Sequence, residues 1–162
     1  LYVRAKTMEA IDCQHHRVDE ALKAGGAAVG AKTVIETLPG MFPLACSPRL
    51  NDLFVENIKE YFPETKIEEA GHFTASTDMG DISHLMPSIH PFIGGVDGGL
   101  HTKDFCVTDF DAAAILPGKV FAMNIIDLLY DEAAMAKEIL EKEKPILTKE
   151  EYLAKLESYF QS

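Results

Sequence analysis

Apolar residues recur along this chain first with a helical and then with an extended period. The opening stretch, Leu1-Tyr2-Val3-Arg4-Ala5, reads as a strand. Behind it Thr7 is placed to cap a helix in which Met8, Ile11, His15, Val18 and Leu22 share one face, ending near Gly25-Gly26. Residues 33–38, Thr-Val-Ile-Glu-Thr-Leu, are rich in β-branched side chains and alternate in part, which predicts a strand interrupted by Pro39-Gly40. Strand, helix, strand is half of a ferredoxin-like split βαβ sandwich, whose other strands and helix would come from upstream or from a partner. The opening has no initiator methionine or leader pattern, so the expectation is a chain that begins in mid-fold.

A second helix is predicted from Ser47-Pro48, a cap followed by a first-turn proline, with Leu50, Phe54, Ile58 and Tyr61 on one face and Pro63 as the stop. The boundary is therefore placed between Pro39 and Pro48, giving one domain over residues 1–46 and another over 47–162. Residues 64–107 lose the helical period and hold most of the glycines and four of the six histidines. From Thr108 the pattern is helical again: 109–116, a break at Pro117-Gly118, then 120–130 with Phe121, Ile125 and Leu128 inward. A last helix carries a capping box, Thr148 with Glu151. The fold class expected is α/β.

Composition narrows the partners. With 162 residues, 47% of them hydrophobic and 25% charged, the chain can bury a core, and no uninterrupted apolar run reaches the roughly 20 residues of a membrane span; no membrane partner is expected. A net charge of −11 repels phosphate backbones and argues against nucleic acid. Cys13, Cys46 and Cys106 form an odd set without CxxC spacing, which reads as reduced, buried thiols of a cytoplasmic protein.

The chemistry-bearing residues lie between Ser76 and His101. Asp78, Asp81, His84, His90 and His101 offer imidazole and carboxylate together, a donor set that suits zinc or manganese. The spacing does not say which of them ligate. Asp78 and Asp81 serve equally well as turn caps, and a loop histidine as an ordinary hydrogen-bonding residue. His15 reads as packed, His16 and His72 as facing solvent. Thiol chemistry at Cys106 lacks the electropositive surroundings that make a thiolate.

The segments Ser76-Thr77-Asp78-Met79-Gly80-Asp81-Ile82-Ser83-His84, Pro87-Ser88-Ile89-His90-Pro91 and Gly98-Gly99-Leu100-His101-Thr102 resemble the C-terminal third of the aminoacylase, carboxypeptidase and aminobenzoyl-glutamate hydrolase metallopeptidases. The likeness extends to about Leu140 and is greatest to the aminobenzoyl-glutamate utilisation branch. The common Glu-Asp-Phe of the family is replaced here by Thr77-Asp78-Met79, which points the same way.

The resemblance implies a catalytic α/β domain interrupted by a lid domain that also makes a homodimer; residues 1–46 would be the second half of the lid. It implies two zinc or manganese ions bridged by an aspartate and a water, with a glutamate as general base. Of these groups only one metal ligand matches this sequence, at His101. The base and the other ligands would lie upstream, so no catalytic residue is assigned in this chain. The paired metals would lower the pKa of water from about 15.7 towards 7, and a carboxylate-bearing amide substrate would be held by Arg4, whose planar fork suits carboxylate, and approached by the backbone of Gly98 and Gly99. Asp78, Asp81, His84 and His90 are candidates for supporting the metal site. The alternative is a non-catalytic binding or assembly fragment without a metal centre.

Overall fold

The computed structural model describes residues 1–69, 71 and 75–160. His72 lies outside them. Helix α1 spans Met8–Ala28, and the Thr7 side chain accepts a hydrogen bond from the Ala10 amide, 3.2 Å. Helix α2 spans Pro48–Tyr61 with Ser47 capping the Leu50 amide, 3.1 Å. A short α3 covers Met79–Leu85. Strands β1 (Val96–Asp97) and β2 (Cys106–Val107) pair antiparallel, Val96 opposite Val107. A π-helical turn, Asp111–Ile115, leads into α4 (Leu116–Lys142), and α5 (Lys149–Phe160) closes the chain. The expected capping box forms: the Thr148 amide donates to Glu151, 2.7 Å, and the Glu151 amide donates to Thr148 Oγ1, 3.2 Å.

The chain divides into two compact units. The first takes in Leu1–Ala45, Glu69–Met86 and Pro145–Ser162; the second takes in Cys46–Glu68 and Pro87–Lys144. The first unit thus joins the opening residues to α3 and α5, a different division from the two continuous domains expected.

In the first unit Phe42 is buried, its ring in edge contacts with His84 at 5.2 Å and Tyr152 at 5.3 Å. Helices α1 and α5 bury no residue, and they meet through polar groups: Asp12 accepts hydrogen bonds from Lys155, 2.5 Å, and from the Tyr159 hydroxyl, 2.7 Å. In the second unit α2 packs on α4 around Phe54, Ile58 and Val120, with Phe62, Ile89 and Leu116 at the edge. The Asn57 amide crosses that contact, donating to both Asn124 and Asp127 at 2.8 Å.

Three expectations change. Residues 1–5 and 33–38 pair with no strand among the described residues. Residues 33–38 still alternate between half-buried and exposed, as one face of a strand would, but an extended segment becomes a sheet strand only by pairing with a neighbour. Pro117-Gly118 does not break the helix, because Pro117 falls in its first turn, where the missing N–H is no loss. The break comes later: Asp131, Glu132 and Ala133 take left-handed backbone angles, φ +49°, +53° and +62°. Continuity through Pro117 also joins apolar stretches that the expected break separated, so Asp111–Lys142 is long and apolar enough to cross a membrane by length and composition. The three cysteines are free, and Cys13 and Cys106 are exposed rather than buried.

Candidate functional site

The predicted residues fall in two places. The first is α3, where the Ser76–His84 segment grips residues 42–45. At Gly80 a Cβ would run into the Phe42 carbonyl oxygen, so the close approach of the two backbones requires glycine. Asp81 Oδ1 accepts from the Phe42 amide, 3.4 Å, and from the Tyr152 hydroxyl, 3.3 Å; burial, followed by the charge of Asp81, raises the Tyr152 pKa. Ser83 Oγ donates to the Gly80 carbonyl, 2.6 Å, and accepts from the Ala45 amide, 3.0 Å. His84 is 6% exposed, its Nε2 3.0 Å from the Pro43 carbonyl, an arrangement that places the ring proton on Nε2. Its Nδ1 is buried without a hydrogen-bond partner.

Asp78 stands at the N-terminus of α3, exposed and without a capping bond, and accepts from the Thr77 hydroxyl, 3.0 Å. Asp81 and His84 thus both bond to the 42–45 segment, Asp81 through the Phe42 amide and His84 through the Pro43 carbonyl. His90 belongs to the second unit, half-buried, its ring stacked on Phe92 at 5.7 Å and its Nδ1 buried without a partner.

The second place is the loop between β1 and β2. Gly98 has φ +83° and sits against the Asp104 carbonyl, where a Cβ would collide. The Gly98 amide already donates to Asp97 Oδ1, 2.9 Å, and the Gly99 carbonyl accepts from both the amide and the hydroxyl of Thr102, 3.1 and 2.8 Å. Both glycines are thus engaged in building the turn. His101 is exposed and adopts φ +62°, a left-handed conformation that non-glycine residues seldom take. Arg4 is exposed, with its guanidinium 5.2 Å from the Tyr2 ring centre.

Among the described residues no three His, Cys, Asp or Glu side chains come together in a way that could hold a metal ion. The donors among the described residues do not by themselves fit a two-metal centre.

One polar cluster was not singled out from the sequence. Asp12, His15, His16, Lys155, Ser158 and Tyr159 line an open cavity of about 340 Å³ between α1 and α5. Burial pulls the Asp12 carboxyl upward, but the bonds from Lys155 and Tyr159 outweigh it and hold the group below its ordinary value. Burial, then the bond to Asp12, pushes the Tyr159 phenol far upward. The His15 ring is tilted against His16 at 4.0 Å, and its Nδ1 lies 3.7 Å from Asp19. The available signal was spacing: Asp12, His15, His16 and Asp19 fall on one helical face, and Lys155 and Tyr159 are one turn apart.

No protein-family model matches the chain, and no solved structure does. Among curated proteins it is similar to Xaa-Arg dipeptidase of Mus musculus, 28% identical over 142 residues, which cover 83% of this chain and 33% of that protein. The chain spans about a third of that relative's length. A peptidase relative agrees with the broad metallohydrolase family that the Ser76–Asp81 motif resembles, and does not single out its aminobenzoyl-glutamate branch.

Proposed function

We propose that this chain is part of a metal-dependent hydrolase of amide or peptide bonds, contributing His101 as a metal ligand. The observation that carries this reading is the placement of His101: a histidine held at positive φ, exposed on a glycine-built loop, in a chain similar to a dipeptidase. Non-glycine residues held in a left-handed conformation cluster at functional positions. His101 alone does not make a metal site, so the remaining ligands and the general base would come from other polypeptide, and no chemical step is assigned to this chain.

In the finer reading, zinc or manganese is bound as two ions per subunit. The substrate is an N-acyl amino acid or an aminobenzoyl-glutamate-like amide with a free carboxylate near Arg4. Residues 1–46 complete a lid that makes a cytoplasmic homodimer, and the whole is α/β, with segments 1–5 and 33–38 taking up strand partners they lack here.

The test is hydrolysis of a panel of N-acyl amino acids by the complete gene product, with metal content measured in parallel. His101→Ala is expected to lower bound metal and abolish turnover, and the 162-residue chain alone is expected to be inactive. A His101→Ala protein with normal metal content and activity would defeat the proposal; a preference for acyl-alanine or hippurate over acyl-glutamate would defeat the aminobenzoyl-glutamate branch. The second reading is a non-catalytic assembly fragment. A complete gene product that binds no metal would support it.

A further inference from the structure

We infer that α4 is a two-state element: a strained, bent form held at the first turn of α2, and a continuous right-handed helix from Leu116 to Lys142 that it adopts when that hold is released. Both helices belong to the second unit. The bend begins at Tyr130, extended at φ −60° and ψ 152°, and continues through Asp131, Glu132 and Ala133 in the left-handed region. There the Cβ of a non-glycine residue crowds the following carbonyl oxygen, a strain usually met at single residues rather than in runs. The local sequence prefers the opposite hand. Residues 130–136, Tyr-Asp-Glu-Ala-Ala-Met-Ala, contain no glycine or proline, and alanine, glutamate and methionine are strong helix formers.

Packing at the bend itself is slight: Asp131 and Glu132 are exposed and Ala133 is half-buried. The compensation lies further along. Arg49, in the first turn of α2, donates from its amide to Glu143 Oε1, 3.2 Å, and from its guanidinium to the Met135 sulfur, 3.7 Å, and Ile139, between those two in sequence, is buried. The antiparallel register explains why these contacts need a bend. Asn57 meets Asn124 and Asp127, so Arg49, eight positions earlier, falls level with the neighbourhood of Met135 on a straight helix. On that straight path Glu143 would lie about 12 Å beyond Met135. The bend instead gathers both at Arg49. Backbone strain persists where the surrounding structure over-determines it; here the hold is one small group of contacts, and their loss lets α4 take the conformation its sequence prefers, uncovering Ile139 and the first-turn amide of α2.

The experiment is pulsed electron spin resonance on the complete gene product, spin-labelled at Lys119→Cys and Lys137→Cys, both exposed positions, in a background without other accessible cysteines. A continuous helix separates these positions by about 27 Å, and a bend shortens the distance. The expected result is a mixture dominated by the shorter distance. Met135→Ala with Glu143→Ala should raise the long component at least fivefold. Glu132→Gly with Ala133→Gly, which relieves the left-handed strain, should abolish it and raise the melting temperature. A single distance, the same in all three proteins, would overturn the inference. So would a lowered melting temperature for the glycine pair, the outcome for a helix that is straight in solution. Should the alanine pair fail to fold, as circular dichroism would reveal, the glycine pair still decides between the two results.

Discussion

His84 and His101 stand in segments that look alike on paper, each with glycine and aspartate close by, and they fold into opposite surroundings. His84 is 6% exposed, bonded to the Pro43 carbonyl through Nε2, while its own carbonyl accepts from the Leu147 amide, 3.0 Å. His101 is exposed and left-handed. The density of titratable residues does not separate these cases. What separates them is whether the local backbone closes around the side chain: at α3 the glycine admits a second backbone that brings acceptors with it, whereas in the β1–β2 loop the glycines close on themselves and leave the histidine outside. The first arrangement contributes stability; the second spends some of it on presentation.

This contrast can be broken by mutation. Gly80→Ala drives a methyl group into the Phe42 carbonyl and should destabilise the first unit by about 3 kcal/mol, read from the urea midpoint. His84→Ala should cost about 2 kcal/mol, through the lost bond to Pro43 and the space left beside Phe42; a loss under 0.5 kcal/mol would erase the distinction drawn between the two histidines.

A smaller effect is expected at the α1–α5 contact. The Asp12 carboxyl titrates below its ordinary value in the fold, so its contribution is complete above the ordinary carboxylate pKa, about 3.9, and is lost as the pH falls through the lower folded value. Because the group is partly exposed, the contribution is under about 1 kcal/mol, and Asp12→Asn should flatten that part of the acid unfolding curve. His101→Ala should move stability least, by less than about 0.5 kcal/mol, as thermal denaturation of the 162-residue chain would show.

Helices were the most legible part of the sequence. Thr7, Ser47 and the Thr148–Glu151 box are local devices, and each is found making its cap. The proline at 117 misled because its effect depends on position within a helix, and it falls in the first turn of α4. The left-handed run at 131–133 has no glycine to announce it. Strand pairing was illegible for a different reason: residues 33–38 carry the pattern, but pairing is a property of two segments.

For the candidate site, residue types picked out Asp78, Asp81, His84, His90 and His101 together. The bonds that separate them reach to residues 42, 43, 147 and 152, which no local window contains. The Asp12 cluster was hidden likewise, half of it on α1 and half on α5.

The amide of Asn57, shared between Asn124 and Asp127, has an evolutionary consequence. Removing any one of the three leaves buried hydrogen-bonding capacity unmet, at about 1–3 kcal/mol. Replacing the set together by apolar residues of similar shape is far cheaper. Positions 57, 124 and 127 should therefore drift as a block among related sequences, either all polar or all apolar, and a lineage caught between the two states would be a weakened one.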